Sequence, residues 1–337
     1  MFFYYNSNKM FFMYMLVFST FISISSNSWL GCWIGLEINL LSFIPLISNS
    51  NNLLMSEASL KYFLIQSIAS INFLFTILIK MTLLKNFHFN NFLSIMINSS
   101  MLMKMGSTPF HFWFPNIIEG LTWFNNFILM SWQKITPMIL MSYYMNNKFL
   151  IIIMILNVII GALGGLNQTS LRKLMAFSSI NNLGWMISAI MISENLWLFY
   201  FFVYSFLISI MCFMFYNMNM FFINQLFISN MNSIIKINLL INFLSLGGLP
   251  PFIGFLPKWI IINFLINNNM FLISFIFIMM SLIMLFFYIR IIYSSFMFNY
   301  MKMKWFKMFF KNNFFLIINL FSFLSVFSII LSTFLFL

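Results

Sequence analysis

The chain alternates long apolar runs with short polar interruptions, and many of the runs are longer than a core helix of a water-soluble domain requires. A helix needs about 20 predominantly apolar residues to cross the hydrocarbon layer, and its backbone amides must be satisfied internally there. Each run is therefore read as a transmembrane helix and each polar cluster as a turn. The rule predicts about eleven spans, near 10–25, 29–47, 57–82, 91–119, 121–145, 148–166, 170–192, 196–219, 234–266, 270–293 and 314–336. Local chemistry punctuates them: Ser56-Glu57 reads as a helix start, and the Asn clusters at 49–52, 146–147 and 267–269 read as turns.

Two of the predicted spans carry an interruption of their own. Gly248-Leu249-Pro250-Pro251-Phe252 repeats the pattern of Gly106-Ser107-Thr108-Pro109-Phe110, G-x-x-P-F, inside the ninth and fourth spans. An offset of five crossings makes these segments run through the membrane in opposite directions. Paired Gly/Pro interruptions in inverted halves point to broken helices that line a transport path. Ordinary proline kinks, which membrane helices tolerate, are the alternative. The expected fold is an all-α polytopic membrane protein, one transmembrane domain over residues 1–337. Its inverted halves fall roughly at 10–145 and 148–293, with 314–336 as a final helix and Gly106, Pro109, Gly248, Pro250 and Pro251 as the helix breakers.

Composition agrees with a lipid solvent: 63% of residues are hydrophobic and 6% charged, against roughly 25% charged in soluble domains. Cys32 and Cys212 both lie in apolar runs and supply neither a disulfide framework nor a cysteine metal centre. The first residues lack the features of a cleaved signal or transit peptide, so the first run is read as retained. With the N-terminus inside, alternating crossings put Lys9, Lys61, Arg172, Lys173, Lys236, Arg290, Lys302, Lys304, Lys307 and Lys311 at the inner face. Lys80, Lys85 and Lys148 fall at the outer face, a clear positive-inside bias. The basic loop 298–313 is read as an inner surface segment rather than a nucleic-acid site.

Four charges fall inside the predicted slab: Glu37, Lys104, Lys134 and Lys258. Ionised side chains at that depth cost several kcal/mol, on the order of 3 to more than 10, so each needs a reason. Low dielectric disfavours the charged form of acid and amine alike, and groups so placed can exchange protons near neutral pH. A static pair of Glu37 with one lysine is the alternative, and it leaves the other two lysines unexplained. His111, inside the first interruption, is a candidate proton relay because an ordinary imidazole titrates near pH 6.5; satisfying loose backbone groups is its competing role. Glu57, four residues before Lys61, reads as a structural helix pair, and Glu119 and Glu194 read as structural residues at span ends.

With these residues assembled, the chain resembles the subunit 2 family of mitochondrial NADH:ubiquinone oxidoreductase, respiratory complex I, in its insect-like form. SNSWLGCWIGLEINLLSFIPLIS, SEASLKYFLIQ, PFHFWFPNIIEGLTW, SWQKITP, GGLNQTSLRKLMAFSSI and LGGLPPFIGFLPKW carry the resemblance over nearly the whole chain. It implies an antiporter-like membrane-arm subunit that couples NADH-to-ubiquinone electron transfer, performed elsewhere in the complex, to proton pumping across the mitochondrial inner membrane. The competing functions are a self-contained cation/proton antiporter and a structural spacer of the membrane arm. The resemblance places proton translocation on Glu37, Lys104, Lys134 and Lys258. It puts FMN, iron–sulfur clusters and ubiquinone on other subunits, with no redox centre and no metal in this chain. Expected partners are the other membrane-arm subunits and membrane lipids such as cardiolipin, with no nucleic acid, and the matrix is expected to face the N-terminus and loop 298–313. In SSINNLGWM many relatives carry His where this chain has Asn182, and an amide cannot change protonation state near neutrality. The glycines 161, 164 and 165 lack the spacing of a dinucleotide fingerprint and read as helix packing and a turn.

Overall fold

The computed structural model describes residues 7–49, 52–83, 90–228 and 233–297, together with positions 319, 322, 323, 325 and 326. Apart from one β-bridge, Ser170 with Phe222, its regular structure is helical. In chain order the helices are α1 (Ser7–Ser25), α2 (Trp29–Ile47), α3 (Leu53–Leu83), α4 (Asn90–Met105), α5 (Trp113–Gly120), α6 (Trp123–Met130) and α7 (Trp132–Ser142). They continue with α8 (Asn147–Gly165), α9 (Leu171–Ile192), α10 (Glu194–Met218), α11 (Ile223–Ile228), α12 (Ser233–Gly247), α13 (Phe255–Asn267) and α14 (Phe271–Met297). Among them α1, α2, α3, α8, α9, α10 and α14 are long and apolar enough to cross a membrane. Three other predicted spans are helix pairs: α4 with α5, α6 with α7, and α12 with α13. The basic loop 298–313 lies outside the described residues, and so does the final helix 314–336 but for the five positions named above.

Two boundaries depart from the sequence reading. Helix α3 starts at Leu53, not at Ser56-Glu57, because the Asn52 carbonyl already accepts the first helical bond from Ser56 N at 3.2 Å. The Ser56 hydroxyl turns back to the Leu53 carbonyl at 2.8 Å, leaving Glu57 in the second turn, where it pairs with Lys61 at 2.5 Å. Segment 121–145, read as one helix, divides at Ser131, whose φ of −111° and ψ of −75° leave the helical path. There the Ser131 hydroxyl donates to the Phe127 carbonyl at 2.6 Å, a back-bond of the kind that bends helices. The short α11 was not anticipated from the apolar pattern; Gln225 Oε1 gathers the amides of Phe221 and Phe222 at its start.

The chain forms two compact units, Met1–Ile153 and Met154–Leu337, with the boundary inside α8. In the first, α2 packs between α1 and α3, α3 supports α4 and α5, and α7 lies on α4, α1 and α6. Its core runs through Cys32, Leu36, Phe73, Ile77, Ile97, Met101 and Leu140, with Leu36 directly preceding Glu37 on α2. In the second, α9 packs on α10 and α13, while α12 packs on α10 and α14. Gly161 of α8 lets that helix lie directly on α9: a Cβ there would come within 2.5 Å of the Asn181 backbone nitrogen. Such small-residue contacts are how membrane helices approach closely. The two cysteines are buried and free.

Candidate functional site

Each interruption is built by one glycine. Helix α4 leaves its path at Gly106, with φ at +70°, and α12 leaves at Gly248, with φ at +83°. Both occupy the first position of G-x-x-P-F. In each, the residue after glycine donates its amide back across the helix end, Ser107 to the Leu102 carbonyl at 3.1 Å and Leu249 to the Leu244 carbonyl at 3.3 Å. The glycine amide bonds one position further on, Gly106 to Met103 at 3.3 Å and Gly248 to Ser245 at 3.1 Å. These are two Schellman ends, the arrangement that a left-handed glycine makes possible and that uses up terminal carbonyls. The prolines that follow cannot donate and so cannot resume the helix at once.

Remaining carbonyls at each end are met by polar side chains from outside the helix. At the first, the Lys104 carbonyl accepts Gln66 Nε2 of α3 at 3.0 Å. At the second, Lys258 Nζ reaches back from α13 to the carbonyls of Leu246 and Gly247, at 3.2 and 3.0 Å. A cation at a helix C-terminus also meets the negative end of the helix dipole. Lys258 therefore sits on the broken end itself, in contact range of Gly248, and its ammonium lies 5.7 Å from the Trp185 ring centre.

Lys104, Lys134 and Lys258 are buried, at 7%, 1% and 6% exposure, which for lysine demands a specific environment. Lys134 is on α7 with its ammonium 5.5 Å from the Phe114 ring of α5. Lys104 and Glu37, which is half-buried, lie near enough for a favourable Coulomb interaction. Lys104 also lines a cavity of about 10 Å³ with Asn39, Tyr62, Gln66, Gln133 and Thr136. That is about the space one ordered water needs, and the lining offers the polar partners such a water requires. Lys258 lines a second cavity of about 10 Å³ with Asn182, Tyr200, Tyr204 and Ser245. His111 is buried inside the first break, its ring 4.2 Å from that of Phe112, and it is not part of the Lys104 cavity lining.

This arrangement can be compared with known proteins. Residues 26–284 match the family described as NADH:quinone oxidoreductase/Mrp antiporter, transmembrane region. The chain belongs to this NADH:quinone oxidoreductase/Mrp antiporter family. The protein called NADH-ubiquinone oxidoreductase chain 2 in Anopheles gambiae is 55% identical over 307 residues, covering 90% of this chain and 89% of the mosquito one. Its namesake in Aedes aegypti is 51% identical over 337 residues, 98% of each chain. Among solved structures, a chain of respiratory complex I from Thermus thermophilus with bound aureothin matches with a TM-score of 0.83 at 18% identity, covering 95% of this chain and 77% of that one. A chain of the Mrp complex from Dietzia sp. DQ12-45-1b matches with a TM-score of 0.74 at 12% identity, over 83% and 59%. At such identities the two structures attest the fold.

In this member of the NADH:quinone oxidoreductase/Mrp antiporter family, sequence reasoning singled out Asn182 but passed over Gln66 and Gln133. Gln66 holds the broken end of α4, and Gln133 Nε2 donates to Asn39 Oδ1 at 2.8 Å beside the Lys104 cavity. Asn182 is held in place from both ends: its Nδ2 donates to the Ser178 carbonyl at 3.0 Å and its Oδ1 accepts the Tyr200 hydroxyl at 2.9 Å. Their sequence mark is a buried amide within an apolar span, diluted in a chain where Asn also fills the turns.

Proposed function

We propose that this chain is a proton-translocating membrane-arm subunit of an NADH:ubiquinone oxidoreductase complex, in which Glu37, Lys104, Lys134 and Lys258 carry the protons. The observation that carries the reading is the duplicated break: two Schellman ends at matching G-x-x-P-F positions, each with a buried lysine and a water-sized polar cavity beside it. Family membership and the chain 2 relatives support the same assignment.

The chemistry follows from the surroundings. An unwound segment frees backbone groups that can hold water inside the slab, and water is what a lysine needs to lose or gain a proton. A charge arriving on one group alters the proton affinity of its neighbour, and Glu37 lies near enough to Lys104 for their charges to interact. His111 serves as a relay within the first break. Electron transfer, with its FMN, iron–sulfur clusters and ubiquinone, takes place on other subunits, and this chain binds no metal, redox group or nucleic acid. The protein resides in the mitochondrial inner membrane beside other membrane-arm subunits and lipids such as cardiolipin, with its N-terminus and loop 298–313 on the matrix side.

The test uses the assembled complex in sealed vesicles. Lys134→Met and Glu37→Gln are expected to assemble normally while proton pumping and coupled quinone reduction fall roughly tenfold or more, the scale of losing a positioned proton-transfer group. Wild-type proton-to-electron ratios in both variants would leave a structural spacer as the role of this chain.

A further inference from the structure

In the second unit, separate from the Lys258 cavity, lies a cavity of about 540 Å³ lined by Leu166, Asn167, Gln168 and Thr169 and by Asn224 and Arg290, among others. Its volume falls in the range of small-ligand sites, about 300–1,000 Å³. The loop between α8 and α9, the start of α11 and the last turns of α14 line it, so it opens at a membrane face rather than at mid-depth. We infer that this cavity binds the phosphate-bearing headgroup of a membrane phospholipid, with Arg290 as its cationic ligand.

The site is a formed pocket. Ile223 N donates to the Thr169 carbonyl at 3.0 Å and Leu171 N to the Phe221 carbonyl at 2.9 Å, tying the α8–α9 loop to the segment before α11. The exposed Arg290 guanidinium donates through one nitrogen to the Leu166 carbonyl, which tethers it to the α8–α9 loop, and its fork carries further N–H groups for a ligand. Planar guanidinium donors suit phosphate oxygens, and the side-chain amides of Asn167 and Asn224 at the exposed rim add neutral donors. No acidic residue belongs to the lining. All four glutamates of the chain lie elsewhere, at 37, 57, 119 and 194.

An apolar track leads away from the cationic pocket. Leu282, Phe286, Ile289 and Tyr293 of α14 are exposed at 55%, 59%, 44% and 61%, spaced three or four residues apart on one side of the helix. Arg290 stands beside the end of this stripe. A headgroup in the cavity with an acyl chain along the stripe satisfies both surfaces with one amphipathic molecule, whereas inorganic phosphate would leave the stripe bare. Basic pockets at the ends of membrane helices, on the face rich in Lys and Arg, are where anionic headgroups bind. The charge bias puts Arg290, Arg172 and Lys173 on that face.

The proposal rests on the chain's placement in a bilayer but not on the proton route, and quinone reduction measured in the same vesicles separates the two. The assembled complex is placed in phosphatidylcholine vesicles containing a minor fraction of phosphatidylglycerol with a photoreactive headgroup, illuminated, and its labelled peptides mapped. Wild type should be labelled within 166–169 or 223–224, and R290Q should lose that labelling roughly fivefold, the effect of about 1 kcal/mol per basic residue. N224F, which replaces a rim amide with an apolar ring and leaves the Arg290–Leu166 pair untouched, should lose it as well even if R290Q fails to assemble, with quinone reduction in both variants near wild type. Excess inorganic phosphate should leave the labelling in place. Equal labelling of wild type and both variants, loss of label to phosphate alone, or a label found on another subunit's segment seated over the cavity would each overturn the proposal.

Discussion

Glycine at position 248 has two separate reasons to be there. Its φ of +83° is a conformation that costs an L-residue about 1–2 kcal/mol, and a Cβ would stand 2.9 Å from Lys258 Cδ and 3.0 Å from its Nζ. The second contact ties a backbone position to an amine of the proposed proton route. Gly248→Ala is therefore expected to lower the thermal midpoint for loss of this subunit from the purified complex and to slow coupled turnover, since Lys258 has to leave the carbonyls of Leu246 and Gly247. Gly247→Ala is the internal control. That glycine is still helical, its nearest outside neighbour would be Leu285 at 3.3 Å, and alanine there should cost little. Equal damage from both substitutions would remove the special status of Gly248. The four charges were legible in the sequence because a charged residue in an apolar run has no cheap explanation. Gln66 and Gln133 were not, because an amide gains its meaning only from the carbonyl or carbonyl-like oxygen it meets across 38 and 94 residues of chain.

Among the elements, α6 and α7 carry the least expected feature. Hydropathy sees 121–145 as one run because Asn125, Asn126, Gln133 and Lys134 are scattered among apolar residues, and Ser131 itself registers as near neutral. The division comes instead from a local competition, in which the Ser131 hydroxyl donates to the same Phe127 carbonyl that the Ser131 amide also reaches, at 2.6 and 2.9 Å. Lys134 N then bonds to the Ser131 carbonyl at 3.1 Å, a tightened turn that sets the direction in which Lys134 leaves the helix. Ser131→Ala removes the back-bond without changing volume much. The complex should assemble, and proton pumping should fall several-fold as the lysine loses its aim, since small displacements of a reacting group are costly. Unchanged pumping would show that Phe114 and the packing of α4 and α6 on α7 position Lys134 without help from the serine. The G-x-x-P-F segments, by contrast, could be read in advance, because glycine and proline act through backbone geometry that depends little on tertiary context.

For the whole molecule, the sequence offered a duplicated pattern, and each of the two compact units holds one copy of the break with a buried lysine of its own, Lys104 in the first and Lys258 in the second. Duplication alone leaves open whether the two copies act in series on one proton route or side by side on two. The combination of Lys134→Met with Lys258→Ala decides it. Each single substitution should depress coupled quinone reduction, because each removes an amine from the proposed route. In a series arrangement the first loss already stops the route, so the double variant should be no slower than the worse of the two singles, the non-additivity expected of groups that act as a unit. Two independent routes would instead give multiplied losses, as distant and uncoupled sites do. Turnover and proton-to-electron ratio in the four proteins, measured on one vesicle preparation, make the comparison; a normal rate for Lys258→Ala alone would take the second unit out of the route altogether and confine proton transfer to Glu37, Lys104 and Lys134.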